Sequence, residues 1–231
     1  MKIAVLSDIH GNFDALNAVT GSLEFLECDL RINLGDSIGY YFQPVSVLDQ
    51  LDKLGFLSVR GNHEVFLRQA SESIEFLKEM DSKYGIGLRE CLNTISNEKL
   101  FEITNWPRVR EIETDRGTLV VAHGSLESEN DYVYPDSDLN LISDQVSTCA
   151  EWLCLGNTHW PMLRFFNGTK ILNPGSVGQP RNGTKGANWA IVDTVSNSIR
   201  FVETQYDSSE VVRLTKMHQP QMSKLWEIFT K

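Results

Sequence analysis

The sequence predicts an α/β fold built as a single domain over residues 1–231, with two sheets flanked by helices. Three observations carry this expectation. The first sixty residues alternate short apolar runs with segments of helical periodicity, the pattern of a parallel α/β sheet. The second half is dense in short strand-like runs separated by turn residues. No linker, repeat or low-complexity tract divides the two halves, and 231 residues can bury a substantial core.

Residues 2–7 are rich in Ile, Val and Leu and read as a strand. Asn12 is a candidate N-cap, and Phe13, Leu16, Val19, Leu23 and Leu26 follow at spacings of three and four, marking one face of a helix. A second strand is expected at 30–34, a helix at 45–54 stopped by Gly55, and a third strand at 56–59. Residues 64–105 are polar-rich and helical, forming either a cap over a site or a flank. Paired strands are expected at 109–113 and 118–122 across Asp115-Arg116-Gly117, with further strands at 152–155, 162–166, 170–172, 189–192 and 199–203. Asn167-Gly168 and Asn197-Ser198 suit hairpin turns. Trp152, Trp160, Trp189, Phe165 and Phe166 are expected in the core.

Hydrophobic content of 41% and charged content of 23% exclude wholesale disorder. A formal charge of -10 speaks against a long nucleic acid as partner, because clamping its backbone needs a broad basic face. A small phosphate-bearing substrate stays compatible, since bound divalent ions invert the local field. No apolar run reaches the roughly 18 residues that cross a membrane. Asp8 and His10 interrupt the first apolar run too early for a signal peptide. Cys28, Cys91, Cys149 and Cys154 are scattered without a CxxC pair, as structural thiols of a reducing, cytoplasmic setting.

Chemistry concentrates at strand ends. The predicted strands run into Asp8-Ile9-His10, Gly35-Asp36, Gly61-Asn62-His63-Glu64, His123-Gly124 and Gly156-Asn157-Thr158-His159. Ligands of open α/β sheets bind beyond the carboxyl ends of the strands. Four of the five histidines occupy these positions, and His218 lies elsewhere. In an extended Asp-x-His both side chains point to one side and chelate one ion, and a carboxylate such as Asp36 can bridge two. Gly35, Gly61 and Gly156 allow sharp turns and close backbone approach. Two metals about 3.5–4 Å apart polarise a phosphoryl group and generate a hydroxide nucleophile.

In this order and spacing, the blocks DIH, GD, GNHE, HG and GNTH resemble the five-block signature of the calcineurin-like metallophosphoesterases. The NPGSVGQPR stretch at 173–181 resembles the smaller bacterial branch of that superfamily, with its phosphodiesterases and diadenosine-tetraphosphatase-like proteins. The ordered set is specific where single blocks are not. The resemblance implies an α/β/β/α sandwich and two divalent ions, manganese first, with iron, nickel or zinc as alternatives. Asp8, His10, Asp36 and His159 would hold the first ion; Asp36, Asn62 and His123 would hold the second. His63 would face substrate and protonate the leaving oxygen, with Glu64 orienting the region. Arg60 matches an arginine that contacts phosphate in related protein phosphatases; its alternative is a surface salt bridge.

The implied function is hydrolysis of a small phosphodiester or nucleotide-type ester by metal-activated hydroxide, without a covalent intermediate. A symmetric dinucleoside polyphosphatase is a narrower reading. Two departures qualify the match. The last block usually reads Gly-His-x-His, but Asn157 stands where the first histidine would complete the second metal site, a weaker donor for borderline ions. After Asp36 the chain reads SIGYYFQP in place of the acidic-Arg-Gly of protein phosphatases; Tyr40, Tyr41 and Phe42 either line a pocket or pack between loop and core. The rival reading is a non-catalytic scaffold for a protein partner, as in retromer. Retention of His63 and the six principal ligands favours the enzyme. Oligomeric state is not legible.

Overall fold

Across the residues described in the computed structural model, 1–142 and 150–230, ten strands form two five-stranded sheets. The strands are β1 (Lys2–Leu6), β2 (Leu30–Asn33), β3 (Leu57–Ser58), β4 (Val109–Glu113), β5 (Thr118–Ala122), β6 (Ala150–Cys154), β7 (Met162–Phe166), β8 (Thr169–Asn173), β9 (Ala187–Asp193) and β10 (Ser198–Thr204). One sheet has the order β10-β9-β1-β2-β3, the other β4-β5-β6-β8-β7. β1, β2 and β3 are parallel as the sequence predicts, but β9 joins β1 antiparallel and makes the sheet mixed. The second sheet repeats the device, with parallel β5, β6 and β8 between antiparallel β4 and β7.

The sheets pack face to face. Ile3, Val5, Ile32, Leu34 and Val59 meet Leu119, Val121, Trp152, Cys154 and Leu172 in a buried layer. The outer face of the first sheet, through Ala4, Leu6, Trp189 and Ile191, is covered by α1 (Phe13–Thr20), α2 (Leu23–Leu26) and α3 (Pro44–Lys53). The outer face of the second sheet is covered, among the described residues, by a loop holding Val133 and a 3-10 turn at Leu139–Ile142.

The helix expected over 13–26 is broken. Gly21 and Ser22 end α1, and the Ser22 hydroxyl accepts the Phe25 N–H to start α2 on a new register. Phe25 therefore turns inward, against Phe56 and Trp189, while Leu23 and Leu26 are 75% and 59% exposed. Trp152 and Trp189 are buried as expected, but Trp160 and Phe165 are 42% and 67% exposed. Phe165 alternates outward on an edge strand with no layer above it.

Residues 62–104 form α4 (Asn62–Glu72), α5 (Ile74–Tyr84), α6 (Gly87–Thr94) and α7 (Asn97–Thr104), packed around Ile38, Leu67, Leu88 and Ile103. Two further helices, α8 (Ser209–His218) and α9 (Lys224–Thr230), pack Val211, Leu225 and Phe229 against Tyr40 and Tyr41. Cys28, Cys91 and Cys154 are buried free thiols; Cys149 lies outside the described residues. No described helix is long and apolar enough to cross a membrane.

Candidate metal centre

The loops leaving β1, β2, β3, β5 and β6 converge on one edge of the two sheets. They are laced by backbone hydrogen bonds: Asp8 N–H to Gly35 O, His10 N–H to Asp36 O, and Gly156 N–H to His123 O, at 3.1, 2.9 and 2.6 Å. Asp8, His10, Asp36, Asn157 and His159 all have φ between 53° and 64°. The other non-glycine residues with positive φ among those described are Asn167 and Asn197, in the two predicted hairpin turns. Left-handed backbone costs an L-residue roughly 1–2 kcal/mol, so its concentration on five chemically active side chains marks a site held by its surroundings.

The holding groups are identifiable. Glu64, fully buried, accepts the N–H groups of Asp36, Ser37 and Gly61 at 2.9, 2.8 and 2.7 Å and ties the second block to the third. Burial, then the Asp36 charge, pushes its carboxyl up to about 7, while these donors favour the ionised form. The 173–181 stretch braces the first block. Val177 and Gly178 donate to the Ser7 and Asp8 carbonyls at 3.0 Å each, and the Ser176 hydroxyl donates to Asp8 O at 2.7 Å.

Five of the predicted ligands, with His63, meet in this frame. Asp8 Oδ1 lies 3.2 Å from His159 Nε2 and 3.7 Å from His10 Nε2. Asp36 Oδ2 lies 3.4 Å from His123 Nε2, 3.7 Å from His10 Nε2 and 3.9 Å from His63 Nε2. Three overlapping donor groups result: Asp8, His10 and His159; His10, Asp36 and His63; and Asp8, Asp36 and His123. All are buried.

The tautomers test whether a metal fits. The Nδ1 atoms of His10, His123 and His159 face the carbonyls of Ile38, Leu34 and Gln179 at 3.3, 2.8 and 2.7 Å. A carbonyl only accepts, so each Nδ1 carries the proton and each Nε2 turns a lone pair inward in the neutral ring. His10 Nε2 and His159 Nε2 then face each other at 3.2 Å, an approach of two lone pairs that a cation between them would relieve. Asp8 Oδ1, Asn62 Oδ1 and His123 Nε2 are also buried without a hydrogen-bond partner, lone-pair atoms that a cation could serve. The donor set fits divalent cations that accept both oxygen and imidazole.

The electrostatics agree. Burial alone would raise the Asp8 carboxyl, but His159 and His123 hold it down to about 2. Burial would lower His123, yet the Asp36 carboxylate outweighs it and pushes the ring up to about 10. Two carboxylates in a dry cluster thus recruit positive charge, and a bound cation meets the same demand.

The remaining predicted residues divide. His63 donates its backbone N–H to Asp36 Oδ1 at 2.8 Å, and its ring Nδ1 is buried without a partner. A side chain at Gly39 would stand 2.3 Å from that nitrogen, so only glycine leaves room for the ring. Asn157 donates Nδ2 to the Glu129 and Asp131 carbonyls at 3.2 and 2.9 Å, which leaves Oδ1 as its atom for a cation. Arg60 donates Nε to Glu129 at 2.6 Å, the salt-bridge alternative. Tyr41 is buried and donates to Leu225 O, and Phe42 packs on His218, so these two belong to the core. Tyr40 stands on the site, its ring 4.5 Å from His10 and 5.1 Å from His63.

Sequence reasoning missed Tyr84 and Arg181. Tyr84, at the end of α5, packs edge-on against His63 at 5.1 Å and Tyr40 at 5.8 Å. Arg181 donates to the Tyr40 hydroxyl at 3.3 Å. Its signal was present as the final residue of NPGSVGQPR; Tyr84 carried none.

Residues 1–197 match the model of the calcineurin-like phosphoesterase superfamily domain. The chain is 30% identical to the uncharacterized protein MJ0912 of Methanocaldococcus jannaschii over 223 residues, covering 89% of this chain and 88% of that protein. Among solved structures, the hypothetical protein PH1004 of Pyrococcus horikoshii superposes with a TM-score of 0.85 at 19% identity, covering 99% of this chain and 97% of that one. A metallophosphoesterase from Sphaerobacter thermophilus gives 0.78 at 21% identity over 99% and 98% of the two chains. The match over 1–197 and the sandwich of two mixed sheets agree: the chain belongs to the calcineurin-like phosphoesterase superfamily.

Proposed function

We propose that this protein is a metal-dependent hydrolase of small phosphate esters, diesters or nucleotide-type, with two divalent ions. The observation that carries the reading is the convergence of three carbonyl-pinned histidines on the Asp8 and Asp36 carboxylates. Asp8, His10, Asp36 and His159 hold one ion; Asp36, Asn62 and His123 hold the other, with Asn157 Oδ1 as its weak extra donor. Manganese suits this mixed oxygen and nitrogen set. Bound there, a divalent pair supplies positive charge that polarises a phosphoryl oxygen and acidifies a water molecule.

The protein's own groups do the rest. His63 lies beside the donor set and holds a proton for the departing oxygen. Burial lowers its pKa, with the Asp36 charge opposing, and an arriving anionic substrate favours the protonated ring. Tyr40 and Tyr84 pack on that ring and fix its plane. Arg60, beside the third block, presents its remaining guanidinium N–H groups to phosphate. The 64–105 helices act as a flank that supplies Tyr84, and the buried free thiols suit a cytoplasmic setting.

The test is turnover of bis(p-nitrophenyl) phosphate and p-nitrophenyl phosphate by chelator-stripped protein, before and after manganese is restored. Manganese-dependent turnover that falls about 10²–10⁴-fold in His63→Ala supports the reading. A folded protein inactive with manganese, iron, nickel and zinc overturns it and points to the scaffold.

A further inference from the structure

The surface beside the metal centre opens into a cavity of about 300 Å³ walled by Tyr40, Gln179, Arg181, Lys224, Leu225 and Ile228. A second cavity of about 290 Å³ adjoins it, sharing Arg181, Lys224 and Ile228, with Glu227 in its wall. Tyr40 belongs both to the inner cavity and to the rings around His10 and His63. Arg181 sits at the junction: its backbone N–H donates to His159 O at 3.4 Å, and its Nη2 donates to Tyr40 Oη and Gln179 Oε1 at 3.3 and 3.1 Å. Lys224 donates to the Lys83 carbonyl at 3.1 Å.

Neither cation is ion-paired among the described residues. Both cations wall the inner cavity, which no carboxylate lines among the described residues. Among the described residues, the one carboxylate in the walls of the two cavities, Glu227, lies in the outer one. A guanidinium fork and an ammonium group form a pairing suited to phosphate oxygens.

We propose that Arg181 and Lys224 form a subsite for a second phosphate of the substrate, next to the metal centre. The preferred substrates then carry a polyphosphate chain, free or attached to a nucleoside, rather than a lone phosphate. Gln179 and Tyr40 position the arginine, and α9 carries the lysine. The inference rests on the phosphoesterase reading for the placement of the first phosphate.

The test uses the full chain loaded with manganese, with free manganese in excess of the added anions so that chelation does not strip the site. Inhibition constants for tripolyphosphate, orthophosphate and adenosine triphosphate are measured against bis(p-nitrophenyl) phosphate turnover. The proteins are the wild type, Arg181→Gln, Arg181→Lys and Lys224→Gln. The wild type is expected to bind tripolyphosphate about tenfold or more tighter than orthophosphate. Each Gln variant should shrink that ratio about fivefold, and Arg181→Lys should restore part of it. The tighter binder of tripolyphosphate and adenosine triphosphate identifies the source of the chain. A ratio equal in all four proteins overturns the subsite. Loss of fold in Arg181→Gln, read by circular dichroism, passes the decision to Lys224→Gln, which lies outside the ligand set. If the wild type turns nothing over, the hydrolase reading fails separately, and the same ratio is read by titration calorimetry. Equal ratios there overturn the subsite too.

Discussion

Gly178 is where the brace and the metal loop come closest, and a single methyl group tests how firmly one holds the other. A Cβ at this position would stand 1.8 Å from Ile9 O and 2.6 Å from Ile9 C. Relief to van der Waals contact needs a separation of well over 1 Å, which breaks the 3.0 Å bond from Gly178 N–H to Asp8 O. Overpacking of this kind costs about 1–3 kcal/mol, and each buried hydrogen bond lost adds about 1–1.5. Stiffening the unfolded chain returns about 0.5 kcal/mol, so Gly178→Ala is expected to lose about 2–4 kcal/mol. At 2–4 °C per kcal/mol for a chain of this size, its melting temperature falls by about 4–16 °C. Urea denaturation of chelated protein reads the stability, and a manganese titration reads the loop, since Asp8 and His10 flank the displaced carbonyl. Gly168→Ala is the control: it has positive φ but open space around it, and should cost about 1 kcal/mol with manganese affinity intact. A Gly178→Ala protein within 1 kcal/mol of wild type, with unchanged manganese affinity, would refute the brace.

Three further outcomes are expected. Manganese at about 100 times its dissociation constant should stabilise the chain by about 2.7 kcal/mol, read as a rise in melting temperature that chelator reverses; an unmoved transition sinks the metal centre. Asn157→His should tighten the weaker zinc site in calorimetry about tenfold while costing about 1 kcal/mol or more, because a histidine replaces an amide that suits left-handed backbone and bonds two carbonyls. Phe25→Ala should cost about 3–5 kcal/mol and Leu23→Ala less than about 1 in urea melts; equal costs would restore the unbroken helix.

The metal blocks were legible because each combines a strand, whose apolar run is local, with side chains whose chemistry is explicit. The strands of the second half were legible for the same reason, with ends displaced by one or two residues at β6, β8, β9 and β10. What failed depended on distant partners. Leu23 and Leu26 continue the spacing of Leu16 and Val19, and only the cap formed by Ser22 moves them to the outside. Phe165 and Trp160 look like core until β7 proves to be an edge. Asn157 was identified as a substitution for histidine, but the two carbonyls that orient its amide come from residues 129 and 131, beyond any local pattern. Tyr84 reaches His63 only through the stacking of α4 on α5, which a helical period does not specify.

The central place of β1 has a consequence for synthesis. β1 ends at Leu6 and pairs on one side with β2, which follows closely, but its other neighbour, β9, begins only at Ala187. At 5–20 residues per second the ribosome needs on the order of 10–40 s to deliver that partner. Throughout this interval Ile3, Ala4 and Val5 have an open backbone edge, and the carbonyl of Asp8 lacks the Ser176 and Gly178 donors that arrive just before β9. The nascent chain is therefore most vulnerable to edge-to-edge association at the strand that leads into the candidate metal loop, and a chaperone that shields this edge would act before any metal could.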